Sequence, residues 1–365
     1  MPEDIKKILD YAIWAPSGGY LVTMKENYKA WSINIDDFYQ QPTEAEKFKF
    51  LLNFAVLAPS SHNSQPWRFE IQGNTIEIFL ESSRRLPHSD KNDREAYISL
   101  GCAIENLLTA ADYYGLSCAI QHFPDKQNES LAARIILVKN SKADAPSQNH
   151  LIFSIPKRVT NRNKYKDELP PEPFLQEIKR YSDNDLQIYV VTDQKQKEQL
   201  ANTALTASIM AMEDKSFRRE LSQYVKPNTT SSPIGMPCFG MGIPSLVSFI
   251  APTMIKYLNM NKFSHKKDET LLKKHTPVFV IITARADDKP SWLKTGELYE
   301  KIALLAIREG LSTAMWAAPI QIGEYYCEFQ KILQTDFRPQ AFFRSGYAIK
   351  STLHSPRLPA KELMI

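Results

Sequence analysis

Apolar residues recur at three- and four-residue spacing from Leu51 to Ala58, stop at Pro59, and give way after Trp67 to alternation on both sides of Gly73-Asn74. The first pattern predicts an amphipathic helix, the second a β-hairpin closed by a glycine turn. Helical spacing returns in "DREAYISLGCAIENLLTAADYYG" and stops at Gly115, after which "LSCAIQHF" and "LAARIILVK" read as strands. A polar stretch, Asn140 to His150, has the composition of a linker.

Beyond it the alternation of periods repeats. A helix begins near Pro173, "LQIYVVTD" is a strand, and "QKQKEQLANTALTASIMAME" is a helix. After a Pro/Gly/Ser-rich stretch come the strand "PVFVIITA", the helix "SWLKTGELYEKIALLAIREG", the strand-like "LSTAMWAAP", the helix "EYYCEFQKIL" and the strand "QAFFRSGYAI". Both parts show helix, strand, long helix ending in glycine, then strand. The fold class this predicts is α+β, two similar halves around central antiparallel sheets. The divisions expected are 1–50 as an N-terminal extension, 51–150 as the first half, and 151–365 as the second half with a lid-like insertion at about 225–260.

Composition narrows the picture. At 365 residues, 43% hydrophobic and 24% charged, the chain has room for two core-bearing halves and the make-up of a soluble globular protein. A net charge of +4 without a Lys/Arg block argues against nucleic acid as partner. Cys102, Cys118, Cys238 and Cys327 are far apart and form no CxxC, which points to reduced thiols and no metal site. The N-terminus lacks signal-peptide character, and the most apolar later run, residues 243–258, is interrupted by Pro252 and Lys256 and is too short to span a bilayer. A cytoplasmic protein without a membrane partner is expected.

The chemistry concentrates in "APSSHNSQPWRF", residues 58–69. Pro59 halts the helix, Ser60 and Ser61 are small enough for backbone N–H groups to approach a flat ring, and Pro66-Trp67 stiffens the exit into a strand. This stretch resembles the signature of the nitroreductase superfamily of FMN-dependent oxidoreductases. "RVTNR", Arg158 to Arg162, places two guanidiniums around a hydroxyl, a spacing suited to clamping a phosphate. Arg357, in "HSPRLPAKELM", resembles the family's closing Lys-x-Arg-x-Pro segment, with Ser355 where many members have Lys. "RPQAFFRSGYA" and the stretch from Ser291 to Glu324 are similar to the Acg-like branch, in which two nitroreductase halves are fused in one chain.

The resemblance implies FMN as cofactor and NAD(P)H as co-substrate, with two electrons passed to a small-molecule acceptor such as a nitroaromatic or quinone. An FMN-storing protein with a closed lid is the alternative. It implies cofactor-binding roles for Pro59, Ser60, Ser61, Asn63, Gln65, Arg158, Thr160, Arg162, Pro319, Ile320 and Arg357, no catalytic side chain, and one FMN per chain. The chain would act as a monomeric pseudo-dimer or as a homodimer of such chains. Gly296 and Glu297 are read as opening a helix near the flavin, and Asp93, Arg94 and Glu95 as a capping and surface-charge group. His62 is given no catalytic role. An earlier copy of the helix stop, "ILDYAIWAPSGGY" at residues 8–20, is either a chance likeness or a decayed repeat.

Overall fold

A threonine starts the first helix. Thr43 is extended and its hydroxyl accepts the Glu46 N–H at 3.2 Å, so α1 (Glu44–Ala55) begins with a satisfied cap and acidic side chains in its first turn. It buries Leu51, Leu52 and Phe54. The structure, a computed structural model, describes residues 26–139 and 150–365. The Ala-Pro-Ser copy at 8–20 and residues 140–149 of the expected linker lie outside the described residues.

After α1, β1 (Trp67–Gln72) and β2 (Thr75–Leu80) form the expected hairpin, Gly73 taking φ +60° in the turn. Then come α2 (Arg94–Tyr113), β3 (Leu116–His122) and β4 (Leu131–Lys139). The sheet order is β1-β2-β4-β3 and every pairing is antiparallel.

The second part opens with α3 (Glu172–Lys179) and β5 (Leu186–Val191). Two helices follow in tandem, α4 (Gln194–Glu213) and α5 (Lys215–Tyr224), each N-capped by an aspartate, Asp193 and Asp214. The expected loop-rich insertion is more ordered than its composition suggested. It holds a two-residue parallel ribbon, β6 (Val225–Lys226) and β7 (Met236–Pro237), a 3-10 turn at 238–241, and the short helices α6 (Ser245–Ser248) and α7 (Ala251–Tyr257). Buried Val225, Cys238, Ala251 and Ile255 give it a small core of its own. Next are α8 (Asn261–Lys274), β8 (Val278–Ala284), α9 (Lys289–Arg308), β9 (Ser312–Met315), α10 (Ala318–Gln321), α11 (Tyr325–Leu333) and β10 (Arg338–Gly346). The second sheet runs β5-β8-β10-β9, again all antiparallel.

The two sheets share one plan. β5, β8, β9 and β10 occupy the places of β1, β2, β3 and β4, and the long helices α2 and α9 each join the second strand of their sheet to the third. Those helices pack against each other with Gly101 facing Gly296: a Cβ on Gly101 would fall on the Leu293 carbonyl, and one on Gly296 on the Ile98 carbonyl. Gly296 therefore sits inside α9, which starts at the Asp288 cap followed by Lys289 and Pro290. The expectation that Gly296 and Glu297 open a helix fails for that reason, and Glu297 instead meets His122 at 2.8 Å.

A single hydrophobic cluster runs from Ile76 and Ile135 on the first sheet to Val280 and Phe343 on the second. The chain also crosses between the sheets at its end. Phe69 of β1 donates to Leu363 and accepts from Ile365, both at 2.9 Å, so the last residues line the edge of the first sheet.

Candidate functional site

The loop after α1 carries three non-glycine residues in left-handed conformation, His62 (φ 54°), Asn63 (φ 55°) and Gln65 (φ 54°). Such geometry costs about 1–2 kcal/mol per residue and persists only where surroundings enforce it. They do so here. Asn63 donates to the carbonyls of Gly235 (2.9 Å) and Pro356 (3.0 Å) and accepts from Arg357 at 2.5 Å. Gln65 donates to Pro233 (2.7 Å), accepts from the Leu358 N–H (2.9 Å), and its own N–H goes to the Ser60 hydroxyl (2.9 Å). Segments far apart in sequence are thereby tied into one wall.

That wall borders a cavity of about 280 Å³ lined by Pro59, Ser60, Ser61, Thr160 and Arg162, together with Ser99, Cys102, Tyr299, Met236 and Met241. A smaller cavity of about 50 Å³ shares Pro59, Ser60, Thr160, Arg162 and Met236 with it, and adds Asn63, Arg158, His354 and Arg357. The first half thus supplies the Pro-Ser loop, and the second half the 158–162 loop, to one chamber. Thr160 is fixed there by bridging to Thr313 of β9.

The three arginines differ in their commitments. Arg158 is buried, with Nε 2.9 Å from Glu300 and a guanidinium N–H donated to the Leu57 carbonyl at 2.8 Å. Burial pushes the Glu300 carboxyl up to about 7, against the pull of Arg158. Arg357 donates to Asn63 and to the Ala58 carbonyl (3.0 Å) and lies 5.0 Å from the Trp31 ring. Burial lowers its pKa to about 9, with Arg158 repelling it further. Arg162 has no ion pair or hydrogen bond to any described residue. Arg162 is exposed yet lines the cavity, and desolvation by the surrounding protein lowers its pKa. His354, beside this group, is held neutral by burial and then by Arg357, its pKa falling to about 3.

The structure brings Pro59, Ser60, Ser61, Thr160 and Arg162 to the main cavity, and Asn63, Arg158 and Arg357 to the smaller one. Gln65 is fully buried and lines neither; its amide is consumed by the scaffold. Pro319 and Ile320 also miss both cavities. They sit in the single turn α10, where Ile320 packs with Phe329 and Leu333, while Ala317, Ala318 and Gln321 on either side face the cavity.

Several lining residues were given no place at the site from the sequence, Glu95 among them having been read as a surface charge. Glu95, Ile98, Ser99 and Cys102 follow the i, i+3, i+4, i+7 spacing of one face of α2. Polar residues within that buried stripe were the available signal. Arg94 and Glu95 are a buried ion pair at 2.6 Å rather than surface charges, and Asp93, at φ 61°, caps no N–H. The residues 26–40, assigned to an extension, also bear on the site: Trp31 donates to the Ser355 carbonyl at 2.9 Å, and Arg357 donates its backbone N–H to Asn27 at 3.0 Å.

Residues 19–103 match the family model described as "Putative TM nitroreductase". "Putative NAD(P)H nitroreductase acg" of Mycobacterium tuberculosis is 25% identical over 332 residues, covering 86% of this chain and 93% of its own. "Putative NAD(P)H nitroreductase MT3217" of the same species is 32% identical over 124 residues, 33% of this chain and 35% of its own. "Probable NAD(P)H nitroreductase PigM" of Serratia is 30% identical over 119 residues, 32% and 33% of the two chains. A solved structure of the FMN and NADPH-dependent nitroreductase NfnB covers 59% of this chain and 97% of its own at 17% identity and TM-score 0.39, a likeness too low to carry an argument. Along most of its length the chain is similar to a putative NAD(P)H nitroreductase, and residues 19–103 match a nitroreductase family model, in keeping with the paired antiparallel sheets and the Pro-Ser and arginine loops that share one chamber.

Proposed function

We propose that the protein is an FMN-dependent NAD(P)H oxidoreductase that reduces a small-molecule acceptor of nitroaromatic or quinone type. The observation that carries this reading is Arg162, a cation without a protein partner among the described residues, facing a chamber whose opposite wall is the Pro59–Ser61 loop. A guanidinium that lines a cavity without an ion pair is free to offer its charge and its planar set of donors to a bound anion. The donor set, Arg162 with the Thr160 hydroxyl and the field of Arg158 and Arg357, fits a phosphate dianion. The small side chains of Ser60, Ser61 and Ser99 fit the face or edge of a planar ring.

FMN, when bound, supplies two-electron acceptance from NAD(P)H and donation to the acceptor. The chain's own residues bind, orient and exclude water. Arg162 and Thr160 would hold the phosphate; Pro59 to Ser61 would line the ring; Met236 and Met241, from the insertion, cover the chamber with polarizable apolar surface. No side chain is assigned a proton transfer, and burial lowers the His62 pKa to about 4, which keeps it neutral at physiological pH.

We infer one FMN per chain and a pseudo-dimeric arrangement of the two halves. No arginine precedes Arg68 in the chain, so the first half has no counterpart of the 158–162 loop with which to build a reciprocal site. The cover supplied by Met236 and Met241 also favours the alternative of a flavin-sequestering protein. Purified protein reconstituted with FMN and mixed with NADH or NADPH separates the two. Rapid bleaching of the flavin absorbance supports the reductase, an unresponsive bound flavin supports sequestration, and failure to bind FMN refutes both.

A further inference from the structure

The insertion has a second side that the chamber does not use. Along α6 and α7, Ser248, Ala251 and Ile255 turn inward to the insertion's core, while Leu246 is 88% exposed, Tyr257 67% and Phe249 57%, with Ile250 and Leu258 also exposed. Isolated exposed apolar residues are ordinary; several large ones on two consecutive short helices mark a contact surface. Charge identifies the partner. From Leu221 to Lys267 the sequence contains no aspartate or glutamate, and it carries Lys226, Lys256, Lys262, Lys266 and Lys267. Lys256 lies 5.0 Å over the Tyr257 ring, which places a cation beside an amphipathic aromatic on the exposed side, and Lys266 is exposed on the next helix.

We propose that this face of α6 and α7 docks on the surface of an anionic lipid bilayer. Leu246, Phe249 and Ile250 enter the interfacial region, Tyr257 sits at headgroup depth, and the exposed Lys256 and Lys266 meet lipid phosphates. A second copy of the chain is disfavoured as occupant, because the exposed Lys256 and Lys266 of this segment would be brought against their own copies. None of the helices in the described residues is long and apolar enough to cross a membrane, so the association is peripheral. The same segment sends Met236 and Met241 to the cavity wall. The proposal does not depend on what the chamber binds.

Flotation of the full chain with phosphatidylcholine vesicles, with and without phosphatidylglycerol, tests it. The expected result is binding at least about tenfold stronger to the anionic vesicles, weakened by salt. The double substitution Leu246→Ser, Phe249→Ser lowers binding by about tenfold or more while leaving the circular dichroism unchanged and the melting temperature within a few degrees, since both side chains are more than half exposed. Lys256→Gln with Lys266→Gln removes the preference for anionic lipid. A folded chain that floats with neither vesicle overturns the proposal, as does equal flotation of the Leu246/Phe249 variant. A concentration-dependent dimer in sedimentation velocity that this variant abolishes, without flotation, overturns it in favour of self-association.

Discussion

The two sheets have the same strand order and the same long helix between their second and third strands, yet their first connections differ completely. In the first half β1 turns into β2 through Gly73 and Asn74; in the second, the chain leaves β5 and returns to β8 only after Gln194 to Lys274 has formed four helices longer than one turn, a ribbon and α6. The shared parts make the scaffold: antiparallel ladders, α2 against α9, one continuous core. The unshared part completes the chamber that the shared elements begin, since Met236, Met241 and Phe217 all come from the long connection. Duplicated architecture supplies rigidity, and a difference between the copies supplies a site on one side.

The comparison breaks most severely at its shared centre. Gly101→Val puts side-chain atoms onto the Leu293 carbonyl of α9, so a loss of about 3–5 kcal/mol in urea unfolding is expected, with both halves failing in a single transition. The unshared arginine is the next test. Arg162→Ala removes no hydrogen bond or ion pair to a described residue, so the melting temperature of the FMN-free chain stays within about 2 °C while FMN affinity, by fluorescence titration, drops by roughly 100-fold. Asn63→Ala does the reverse, costing about 2–3 kcal/mol of stability by releasing a left-handed residue and leaving Arg357 short of an acceptor.

Acidity sharpens the comparison at the seam. Glu300 has a folded pKa of about 7, above its unfolded value, so the folded chain holds a proton that the unfolded chain releases. Its contribution is fully present below the unfolded pKa and is lost as pH rises through about 7; urea unfolding should therefore show stability falling across that window by about 2–3 kcal/mol. Glu300→Gln flattens the slope, though Asp90 and Glu95, whose pKa values burial also raises, leave a residue of the same sign. The smallest effect belongs to the short connection: Gly73→Ala, at φ +60° with open space around it, costs about 1 kcal/mol in thermal unfolding.

Much of this was legible beforehand where the signal was local. The hairpin at Gly73, the glycine stop of α2, and the helices at 194–213 and 289–308 follow from periodicity and termination chemistry that neighbouring residues settle among themselves. The Pro-Ser loop and the 158–162 loop stood out because each compresses an unusual set of residue types into a few positions. Gln65, Pro319 and Ile320 lie outside the two cavities described, Ile320 lining an adjoining one of about 240 Å³, and residue type alone does not say which way a side chain points. Gln65 could face a ligand or brace Pro233 and Leu358, and it does the latter. Glu95, Ser99 and His354 were passed over because their surroundings come from segments far away in the chain.

By itself the sequence determined the kinds of element, their order and the antiparallel α+β class, since short-range sterics and amphipathic period decide these, and it marked by composition the two loops that line the chamber. Only the tertiary structure decided that Arg158 and Arg357 are engaged while Arg162 is unpaired, that Gly101 meets Gly296, and that the chain's end returns to β1. The reason is physical: hydrogen-bond commitment, close backbone approach and burial depend on atoms brought together across hundreds of residues, and no local pattern encodes which partner arrives first.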